Sequence, residues 1–344
     1  MSRTAIVTHV DLDGVGAATA YTILQGLPLE RIEIVFTVPR KLPQVLRDIM
    51  SKRNLDTIVI MDLGVNRDTF NDIISILRQC EPAKRVLWFD HHVWEDEWMN
   101  EISKFVRLYL DRSTCAAGVV FKYVERVESD NEVIDELRDF IDMVCGVDLW
   151  KFHRWECNYL YRYVSYMASN NRLEEAFREL VEVLRSKRLY DFIHNECNRI
   201  AELVVSRELE VINKVLSNVD VLEIGGSRIC VYVKDRRDVE VSSSLIGNVL
   251  VHRGLCDIAA IVRRDMNTVS LRSYVCDVRS IAVSLGGGGH PRAAGAQLEL
   301  PSIQRFFLRI LNELGAKRSV VRTLKSVLIS KLSPEVVRQS CAHT

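Results

Sequence analysis

Short β-branched segments alternate with segments of helical periodicity in the first part of the sequence, and this pattern constrains the fold more than any other feature. Strands are predicted at 4–8, 32–38, 57–61 and 85–89. Helices are predicted between them, at 16–25, 42–50 and 69–78. Because strands that alternate with helices form mainly parallel sheets with helices on both faces, we expect an α/β domain of this kind. Ligands of such sheets bind beyond the carboxyl ends of the strands.

The rest of the sequence predicts a helical segment followed by a second, smaller α/β domain. A helix at 113–127 is expected to begin with Ser113 or Thr114 as its cap, and helical periodicity dominates 130–216. Strands are predicted at 219–224, 228–233, 256–263 and 268–274, with helices at 242–253 and 278–285. The expected organisation is an N-terminal domain at 1–190, a linker helix at 191–217, a smaller domain at 218–315 and a helical tail at 316–344.

Composition narrows the class of protein without identifying it. Lys and Arg total 46, as do Asp and Glu, so the formal net charge is zero and no overall basic field favours nucleic-acid binding. No apolar run reaches the roughly 18 residues of a membrane span, and the first residues lack the features of a signal peptide. The nine cysteines are odd in number and form no C-x-x-C pair, which favours a cytoplasmic protein with buried thiols over a disulfide framework.

Four clusters of acids and histidines are predicted to follow strands. They are His9-Val10-Asp11-Leu12-Asp13-Gly14, Asp62-Leu63-Gly64, Asp90-His91-His92 and Gly146-Val147-Asp148-Leu149-Trp150. Alternate side chains of an extended segment point the same way, so His9, Asp11 and Asp13 are expected to converge. A single Asp after a strand usually belongs to a turn or a helix cap, and a single His is usually structural.

Taken together, the four clusters predict a site for divalent cations. Several carboxylates at one edge of a sheet would repel each other and lose hydration, and bound cations relieve both costs. Carboxylate and imidazole ligands suit Mn²⁺, with Mg²⁺, Fe²⁺, Co²⁺ or Zn²⁺ as substitutes. Because five acids and two or three histidines exceed the needs of one ion, we expect a pair of cations about 3.5–4 Å apart.

A glycine-rich segment in the smaller domain predicts a phosphate-binding site. The segment reads Gly286-Gly287-Gly288-Gly289-His290-Pro291-Arg292-Ala293-Ala294-Gly295. Glycines allow backbone N–H groups to approach a phosphate closely, and His290 and Arg292 add donors. A run of glycines is most often a flexible loop, but this run leads directly into a histidine and an arginine. Just upstream, Arg272 lies in a predicted strand from which it could reach the same loop.

In order along the chain, these motifs resemble those of the DHH phosphoesterase family, named after Asp90-His91-His92. H-V-D-L-D-G resembles its first motif, M-D-L-G the second, F-D-H-H the third and G-V-D-L-W the fourth. S-L-R-S and G-G-G-G-H-P-R-A-A-G resemble the family's associated C-terminal domain. The branch concerned contains RecJ-type exonucleases, oligoribonucleases, phosphoadenosine-phosphate phosphatases and cyclic dinucleotide phosphodiesterases. The family's inorganic pyrophosphatases carry a different second domain, which argues against that activity.

The resemblance implies ligands for two divalent cations, with Mn²⁺ favoured and Mg²⁺ or Co²⁺ as alternatives. It implies His9 and Asp11 as ligands of the first ion, and Asp13, His91 and Asp148 as ligands of the second. Asp62 would bridge the two ions. The opening residue of the first motif varies within the family, so His9 is the least constrained of these ligands.

The resemblance also implies which residues act on the substrate. His92 would face the scissile phosphate, and Asp90 would orient its neighbours or join the metal shell. The second domain would hold a substrate phosphate across an active-site cleft between the domains. The residues that would bind this phosphate are Arg272, Gly287, Gly288, Gly289, His290 and, as a further candidate, Arg292.

The expected activity is metal-dependent hydrolysis of short oligonucleotides from an end, or of small nucleotides such as phosphoadenosine phosphate or cyclic dinucleotides. A long single strand would need an extended basic groove with stacking aromatics, which the zero net charge does not favour. The alternative is a RecJ-like single-strand exonuclease, which could also be a partner in a replication assembly containing GINS-like proteins. A homodimer is compatible with the sequence, and no membrane association is expected.

Two features leave a longer substrate open. Trp88, Trp94, Trp98 and Trp150 lie near the motifs and one could stack a base, although tryptophan packs more often in a core. The segment 318–332 has apolar residues at helical spacing, with cations opposite them. Packing on the body of the protein is the simpler interpretation of this segment, and contact of its cations with nucleic acid or a partner is the alternative.

Overall fold

The structure is a computed structural model that describes residues 3–52, 54–79, 84–128, 130–235, 238, 241–263, 267–298 and 317–342. The chain divides into two compact units, Met1–Val204 and Val205–Thr344. The division falls inside the helix Asn198–Asn218, which overlaps the linker helix expected at 191–217.

In the described part of the first unit, five parallel strands form one sheet in the order β2-β1-β3-β4-β5. The strands are β1 (Thr4–His9), β2 (Ile32–Thr37), β3 (Thr57–Met61), β4 (Arg85–Asp90) and β5 (Arg107–Leu110). The predicted parallel sheet is confirmed, because its β-branched segments form parallel strands as expected. β5 is an addition to the prediction, since its sequence Arg-Leu-Tyr-Leu is short and contains no β-branched residue.

Helices cover both faces of this sheet, as the alternation predicts. They are α1 (Leu12–Leu24), α2 (Leu42–Met50), α3 (Arg67–Arg78), α4 (Asp96–Ile102), α5 (Ala116–Tyr123), α6 (Asn131–Asp148), α7 (Glu156–Ser169), α8 (Leu173–Arg185) and α9 (Leu189–Phe192). After α9, a short π-helix (Ile193–Cys197) leads into α10 (Asn198–Asn218), which spans the division between the units.

Two apolar cores form, one against each face of the sheet, because successive residues of a strand point to opposite faces. In β4, Leu87 and Phe89 join the core built with α1, α5 and α6. Val86 and Trp88 join the core built with α2, α3 and α4. Helix α1 lies within the first of these cores, and every one of its residues is buried. It therefore has no face turned to solvent.

The start of α5 differs from the prediction. The helix begins at Ala116 and its N-cap is Cys115, so the prediction of Ser113 or Thr114 as the cap is wrong. The physical reason is that the buried carboxylate of Asp13 accepts the first N–H groups of this helix. A distant side chain thus takes the place of a local capping hydroxyl.

In the described residues of the second unit, six strands form a mixed sheet in the order β10-β11-β9-β8-β7-β6. They are β6 (Asp220–Ile224), β7 (Ser227–Lys234), β8 (Ile258–Arg263), β9 (Thr268–Arg272), β10 (Gly288–His290) and β11 (Ala293–Gln297). β7 and β8 are parallel, and the other neighbouring pairs are antiparallel. The second α/β unit is confirmed. The interpretation of the glycine run as a loop is wrong for Gly288–His290, because pairing with β11 makes it a strand.

The helices of the second unit include the predicted tail. They are α11 (Ser243–His252), α12 (Val278–Ser284), α13 (Lys317–Lys331) and α14 (Pro334–Cys341). Val320, Leu324 and Leu328 of α13 are buried in the core of this unit, so the tail packs on the body of the protein. Across the described parts of both units, no helix combines the length and the apolar character needed to cross a bilayer.

The expectation of buried thiols without disulfides is wrong for six of the nine cysteines. The structure contains the disulfides Cys115–Cys145, Cys230–Cys256 and Cys276–Cys341. Cys157 and Cys197 are free and buried, and Cys80 lies outside the described residues. The partners are 26 to 65 residues apart, so only the fold brings them within bonding distance.

Candidate metal centre and phosphate-binding segment

The carboxyl ends of β1, β3 and β4 bring three of the four predicted clusters to one edge of the parallel sheet. His9 ends β1, Asp62 follows β3 and Asp90 ends β4. Asp148 reaches the same place as the last residue of α6, so the prediction that it follows a strand is wrong. The helix α6 itself agrees with the helical periodicity predicted over 130–216.

Asp11 starts α1 rather than continuing an extended segment. Its Oδ1 atom accepts the N–H of Gly14 at 3.1 Å, which is the contact of a helix N-cap. Leu12 and Asp13 are therefore helical, and the prediction that His9, Asp11 and Asp13 converge by strand alternation is wrong. Gly14 is required here, because a Cβ atom would lie 2.4 Å from the His9 carbonyl oxygen. This turn places His9 and Asp11 in one group of potential metal ligands and Asp13 in another.

The first donor group consists of His9, Asp11 and Asp62. His9 Nδ1 lies 2.7 Å from Asp11 Oδ2 and 3.7 Å from Asp62 Oδ2. Asp62 is buried, whereas Asp11 is exposed, so the group opens to solvent on the side of Asp11. Burial alone would lower the pKa of His9, but the Asp11 carboxylate raises it. The negative charge of Asp11, which favours a proton on His9, would also favour a cation between these side chains.

The second donor group consists of Asp13, His91 and Asp148. His91 Nε2 lies 3.5 Å from Asp13 Oδ2, and His91 Nδ1 lies 3.7 Å from Asp148 Oδ2. The N–H groups of Ala116 and Ala117 donate to the two oxygens of Asp13, at 2.7 and 2.9 Å. These are the first N–H groups of α5, where negative charge is favoured. The position of Asp13 therefore depends on where α5 begins.

Asp62 lies between the two groups and directs one oxygen to each. Its Oδ2 atom lies 3.7 Å from His9 Nδ1, and its Oδ1 atom lies 3.4 Å from His91 Nε2. The residue has a φ of 54°, in the left-handed region that Asp adopts more readily than most residues. Its N–H donates to the Phe89 carbonyl oxygen at 3.0 Å, which ties this unusual conformation to β4.

His92 is oriented by Asp90. Its Nδ1 atom lies 2.7 Å from Asp90 Oδ1, and Asp90 Oδ2 accepts the Trp94 indole N–H at 2.6 Å. Gly64 makes room for His92, because a Cβ atom on Gly64 would lie 3.0 Å from His92 Cβ. Burial alone would lower the pKa of His92, but the Asp90 carboxylate raises it. The contact with Asp90 engages Nδ1 and fixes the orientation of the His92 ring.

Three carboxyl groups of the site, those of Asp13, Asp62 and Asp148, have raised pKa values. Burial and the charge of Asp148 raise the pKa of Asp13 to about 7. Burial and the charges of Asp11 and Asp13 raise the pKa of Asp62 well above its ordinary value. Burial also raises the pKa of Asp148, although the charge of His91 acts in the opposite direction. A divalent cation would relieve this repulsion and displace the protons.

Two further observations show that the donor set fits divalent cations. Within the described residues, the buried Oδ2 atom of Asp148 has no hydrogen-bond partner. The donors are carboxylate oxygens and imidazole nitrogens, which suit divalent cations, and a third group of Asp62, Asp90 and His92 adjoins the other two. The structure thus brings together all the metal ligands predicted from the sequence, namely His9, Asp11, Asp13, Asp62, His91 and Asp148.

In the second unit, His290 and Arg272 lie in one row across the sheet. His290 in β10 pairs with Ala293 in β11, and Ala293 pairs with Arg272 in β9. Paired residues of neighbouring strands point to the same face, so the small side chain of Ala293 leaves space between the histidine and the arginine. Neighbouring strands are about 4.8 Å apart, so the row spans roughly 10 Å, which accommodates a phosphate and its donors.

The side chain of Arg272 is held by α11. Its Nη2 atom donates to the Ser244 hydroxyl, and its Nη1 atom donates to the Leu271 carbonyl oxygen at 2.8 Å. Gly247 packs closely against this side chain, because a Cβ atom there would lie 3.0 Å from Arg272 Cγ. The guanidinium is thus positioned by two elements, β9 and α11, before any substrate binds.

The glycine-rich segment is built into the unit more tightly than a loop would be. A Cβ atom on Gly287 would lie 2.1 Å from the Gly295 carbonyl oxygen, and Gly289 has a φ of 133°. The Gly287 N–H donates to the Ala282 carbonyl oxygen at 2.8 Å, so it is engaged within the unit. Arg292 is exposed beyond β10. Glycine is therefore needed here for close packing of the chain.

Sequence reasoning missed the groups that hold the ligands in place. Ala116 and Ala117 donate backbone N–H groups to Asp13, from which they are 103 and 104 residues away. Trp94 donates its indole N–H to Asp90. Backbone donors leave no side-chain signature, and the small residues after Cys115 signal only that a helix could start there.

The tryptophans near the motifs occupy two environments. Trp88, Trp94 and Trp98 are buried in the core formed with α2, α3 and α4, as core packing predicts. Trp150 is partly exposed, and its ring centre lies 4.9 Å from that of Phe152. Of the four, Trp150 is the one with a surface on which a base could stack.

Known proteins share this fold. Residues 3–145 match a family described as DHH family, N-terminal domain. RecJ from Thermus thermophilus, solved with Mn²⁺, is 14% identical with a TM-score of 0.57, over 94% of this chain and 51% of the Thermus chain. This chain thus spans about half the length of that protein. An exonuclease RecJ bound to manganese is 13% identical with a TM-score of 0.54, over 99% of this chain and 91% of the other.

CDC45 from Entamoeba histolytica has the same fold at 9% identity, with a TM-score of 0.51 over 96% of this chain and 95% of the other. Comparison of the sequence with curated proteins finds no match. At these identities the solved structures define the fold alone.

The fold and the donor groups define an α/β protein with an acid- and histidine-rich edge able to bind cations, followed by a second sheet domain as in RecJ. Residues 3–145 of this chain are a DHH family N-terminal domain. The resemblance inferred from the motifs is confirmed, and Asp90-His91-His92 lies where β4 ends at that edge.

Proposed function

We propose that this protein is a metal-dependent phosphoesterase that hydrolyses short oligonucleotides from an end, or small nucleotides such as phosphoadenosine phosphate or cyclic dinucleotides. The DHH family N-terminal domain and the RecJ-like fold support a hydrolase that acts on phosphoesters. Both RecJ structures contain manganese, which favours Mn²⁺ here, with Mg²⁺ or Co²⁺ as alternatives.

The observation that carries the proposal is the position of Asp62. One of its oxygens lies 3.7 Å from His9 Nδ1 and the other lies 3.4 Å from His91 Nε2. A carboxylate with one oxygen in each of two donor groups is arranged as a bridging ligand of a metal pair. We therefore propose two divalent cations, one in each donor group, with Asp62 between them.

The residues around the cations have separate roles. The bound cations would supply a nucleophilic water at neutral pH and offset charge on the phosphoryl oxygens. His92 would donate a hydrogen bond from Nε2 to a phosphoryl oxygen and stabilise the charge that develops there. Its raised pKa favours the protonated ring, which suits a donor better than a base. Asp90 stays ionised to hold this ring, because the charge of His92 outweighs burial and lowers the pKa of Asp90.

The second unit would bind a phosphate of the substrate. Arg272 offers the planar guanidinium that pairs with two phosphate oxygens at once, and His290 lies in the same row of the sheet. Gly288 and Gly289, which keep this surface free of side chains, would allow the phosphate to approach the backbone. Arg292 is exposed at the end of this surface and would extend it.

Short substrates are favoured because few cations are available to follow a long strand. The formal net charge is zero, and Lys325 of α13 pairs with Asp220 at 2.5 Å. Each phosphate neutralised by a protein cation steepens the salt dependence of binding. We therefore expect mild inhibition by salt and little gain in rate beyond a few nucleotides.

A hydrolysis panel under single-turnover conditions tests this proposal. It contains RNA and DNA as dinucleotide, pentamer and a strand of roughly 30 nucleotides, together with phosphoadenosine phosphate and a cyclic dinucleotide. We expect hydrolysis to require Mn²⁺, to stop on chelation and to be fastest on a short substrate. Asp68→Asn, which alters an exposed carboxylate of α3, is the control and should behave as the wild type. Absence of hydrolysis on every substrate at saturating Mn²⁺ would reject the proposal.

The second candidate is a RecJ-like single-strand exonuclease, which the fold similarity to RecJ favours. A clear preference for the long strand, with steep inhibition by salt, would support it. Arg318 and Arg322 on the exposed side of α13 would then extend the nucleic-acid track. Arg318→Gln/Arg322→Gln should flatten the salt dependence in that case. These changes are preferable to truncation, which would expose Leu324 and the core around it.

A role as a replication partner is a distinct extension of the second candidate, suggested by the fold similarity to CDC45. The complete donor set favours an active enzyme over a purely structural partner. Pull-down with purified GINS-like proteins, followed by the same hydrolysis assay on the complex, would separate the two roles.

A further inference from the structure

Three helices of the first unit meet behind the second donor group, and a disulfide joins two of them. α1 carries Asp13 in its first turn, the first N–H groups of α5 bind Asp13, and α6 ends at Asp148. Cys115 is the N-cap of α5, and Cys145 lies in α6 within the turn that ends at Asp148. The bond between these two cysteines therefore joins the element that holds one ligand to the element that carries the other.

The packing at this junction leaves little room for adjustment. A Cβ atom on Gly16 of α1 would lie 3.0 Å from the Val144 side chain and 3.5 Å from Ala117 Cβ. Val144 directly precedes Cys145, and Ala117 is one of the two donors to Asp13. A change in the spacing of α5 and α6 would therefore move the backbone amides that fix Asp13.

We propose that the Cys115–Cys145 disulfide is a positioning element of the second donor group, which sets the distance between Asp13 and Asp148 and thereby the affinity of that group for a divalent cation. The inference rests on the proposed metal centre and deepens it. When ionised, the carboxylates of Asp13 and Asp148 repel each other, so a restraint outside the group is needed to keep both in place before a cation binds. Mutation of a group that orients a metal ligand typically lowers metal affinity about 10–100-fold.

The same bond makes the metal group sensitive to reduction by a dithiol. One sulfur of the dithiol attacks a sulfur of the disulfide, and its second sulfur then closes a new disulfide in the reductant. Two electrons pass to the protein, and Cys115 and Cys145 each gain a proton. Cys115 is fully buried and Cys145 is partly exposed, so the attack is expected at Cys145. Reduction breaks the covalent link between α5 and α6 and should weaken cation binding.

Manganese binding without substrate tests the proposal, by calorimetry and by electron paramagnetic resonance of the free ion. The test variant is Cys115→Ala/Cys145→Ala, and the matched control is Cys276→Ala/Cys341→Ala in the second unit. The control opens a loop of 65 residues instead of 30, so it should lose at least as much global stability as the test variant. We expect the Kd of one manganese ion to rise about tenfold or more in the test variant and to change less than about twofold in the control.

Equal manganese binding by the wild type and the test variant, or equal weakening in the control, would overturn the proposal. If the test variant does not fold, the same titration is made on a protein that retains Cys115 and Cys145 but has alanine at the other disulfide cysteines. Weaker binding after reduction that returns on reoxidation is then expected, and unchanged binding overturns the proposal. If the wild type itself binds no manganese, the proposed metal centre fails first and this inference fails with it.

Discussion

His92 Nδ1 and Asp90 Oδ1 lie 2.7 Å apart, and the other oxygen of Asp90 accepts the Trp94 indole N–H. This contact separates the roles of two consecutive histidines. His91 lies close to carboxylates of both donor groups, whereas His92 is oriented by the fully buried carboxylate of Asp90. We therefore expect His91 to bind metal and His92 to act on the substrate.

Asp90→Asn should slow hydrolysis about 10²–10⁴-fold while leaving manganese binding nearly unchanged, because it disturbs the orientation and charge of His92. Asp90 raises the pKa of His92, so removing its charge should lower that pKa. If protonated His92 is the donor, the decline of the rate at high pH should move to lower pH. The pH–rate profile of kcat measures this shift. An unmoved profile would contradict the role of Asp90.

Asp62→Asn should reduce hydrolysis more than about a hundredfold and should lower the manganese content, because the bridging charge is lost. Asn is preferred to Ala at this position, since Asp62 has a φ of 54° and Asn tolerates that region well. Circular dichroism should show an unchanged fold. Full activity with wild-type manganese content would contradict the two-cation assignment.

The metal-free protein should lose stability as the pH rises. The folded pKa of Asp13 is about 7 against an ordinary value of 3.8, so between these values the unfolded chain has lost a proton that the folded chain keeps. The raised pKa of His91 acts in the same direction at higher pH. Thermal unfolding in the presence of a chelator should show a falling Tm across this window.

Saturating Mn²⁺ should reverse that trend, because metal binding displaces the protons. Asp148→Asn should shrink the slope in the metal-free protein, since the Asp148 charge helps to raise the pKa of Asp13. A Tm that does not change with pH in the chelated wild type would show that these carboxyl groups do not hold the protons.

Arg272→Gln and His290→Ala should raise KM about tenfold or more while leaving manganese binding unchanged, because both side chains are assigned to the substrate phosphate. Arg253→Gln, which removes an exposed arginine at the end of α11, is the matched control and should keep the wild-type KM. A loss of bound manganese in His290→Ala would make His290 a metal ligand and would change the assigned role of the second unit.

Local patterns predicted the strands and the ligand residues, but they did not predict how the ligands are held. The strand at 57–61 and Asp62 are adjacent in the sequence, so a local pattern was enough to predict an acid at the edge of the sheet. Asp148 ends α6, which lies in the segment 130–216 predicted to be helical, so only its placement after a strand was wrong. The assignment of Asp148 to the site depended on its motif rather than on its predicted element.

Contacts between residues far apart in the sequence account for the features that local patterns did not predict. The donors to Asp13 are backbone groups more than a hundred residues away, and no local pattern can encode such a partner. The strand Gly288–His290 was not foreseen, because glycine disfavours strands and only pairing with β11 stabilises it. The disulfides likewise join residues that only the fold brings together.

Because α1 is completely buried, its backbone amides should be protected from exchange with solvent. Amide hydrogens exchange with solvent through partial unfolding, and those in the most deeply packed element exchange last. Asp13 lies in the first turn of such an element, so its ligand group should survive every local opening that spares the core. The amides of α1 should therefore be among the slowest to exchange, and their exchange rate should follow the global free energy of unfolding.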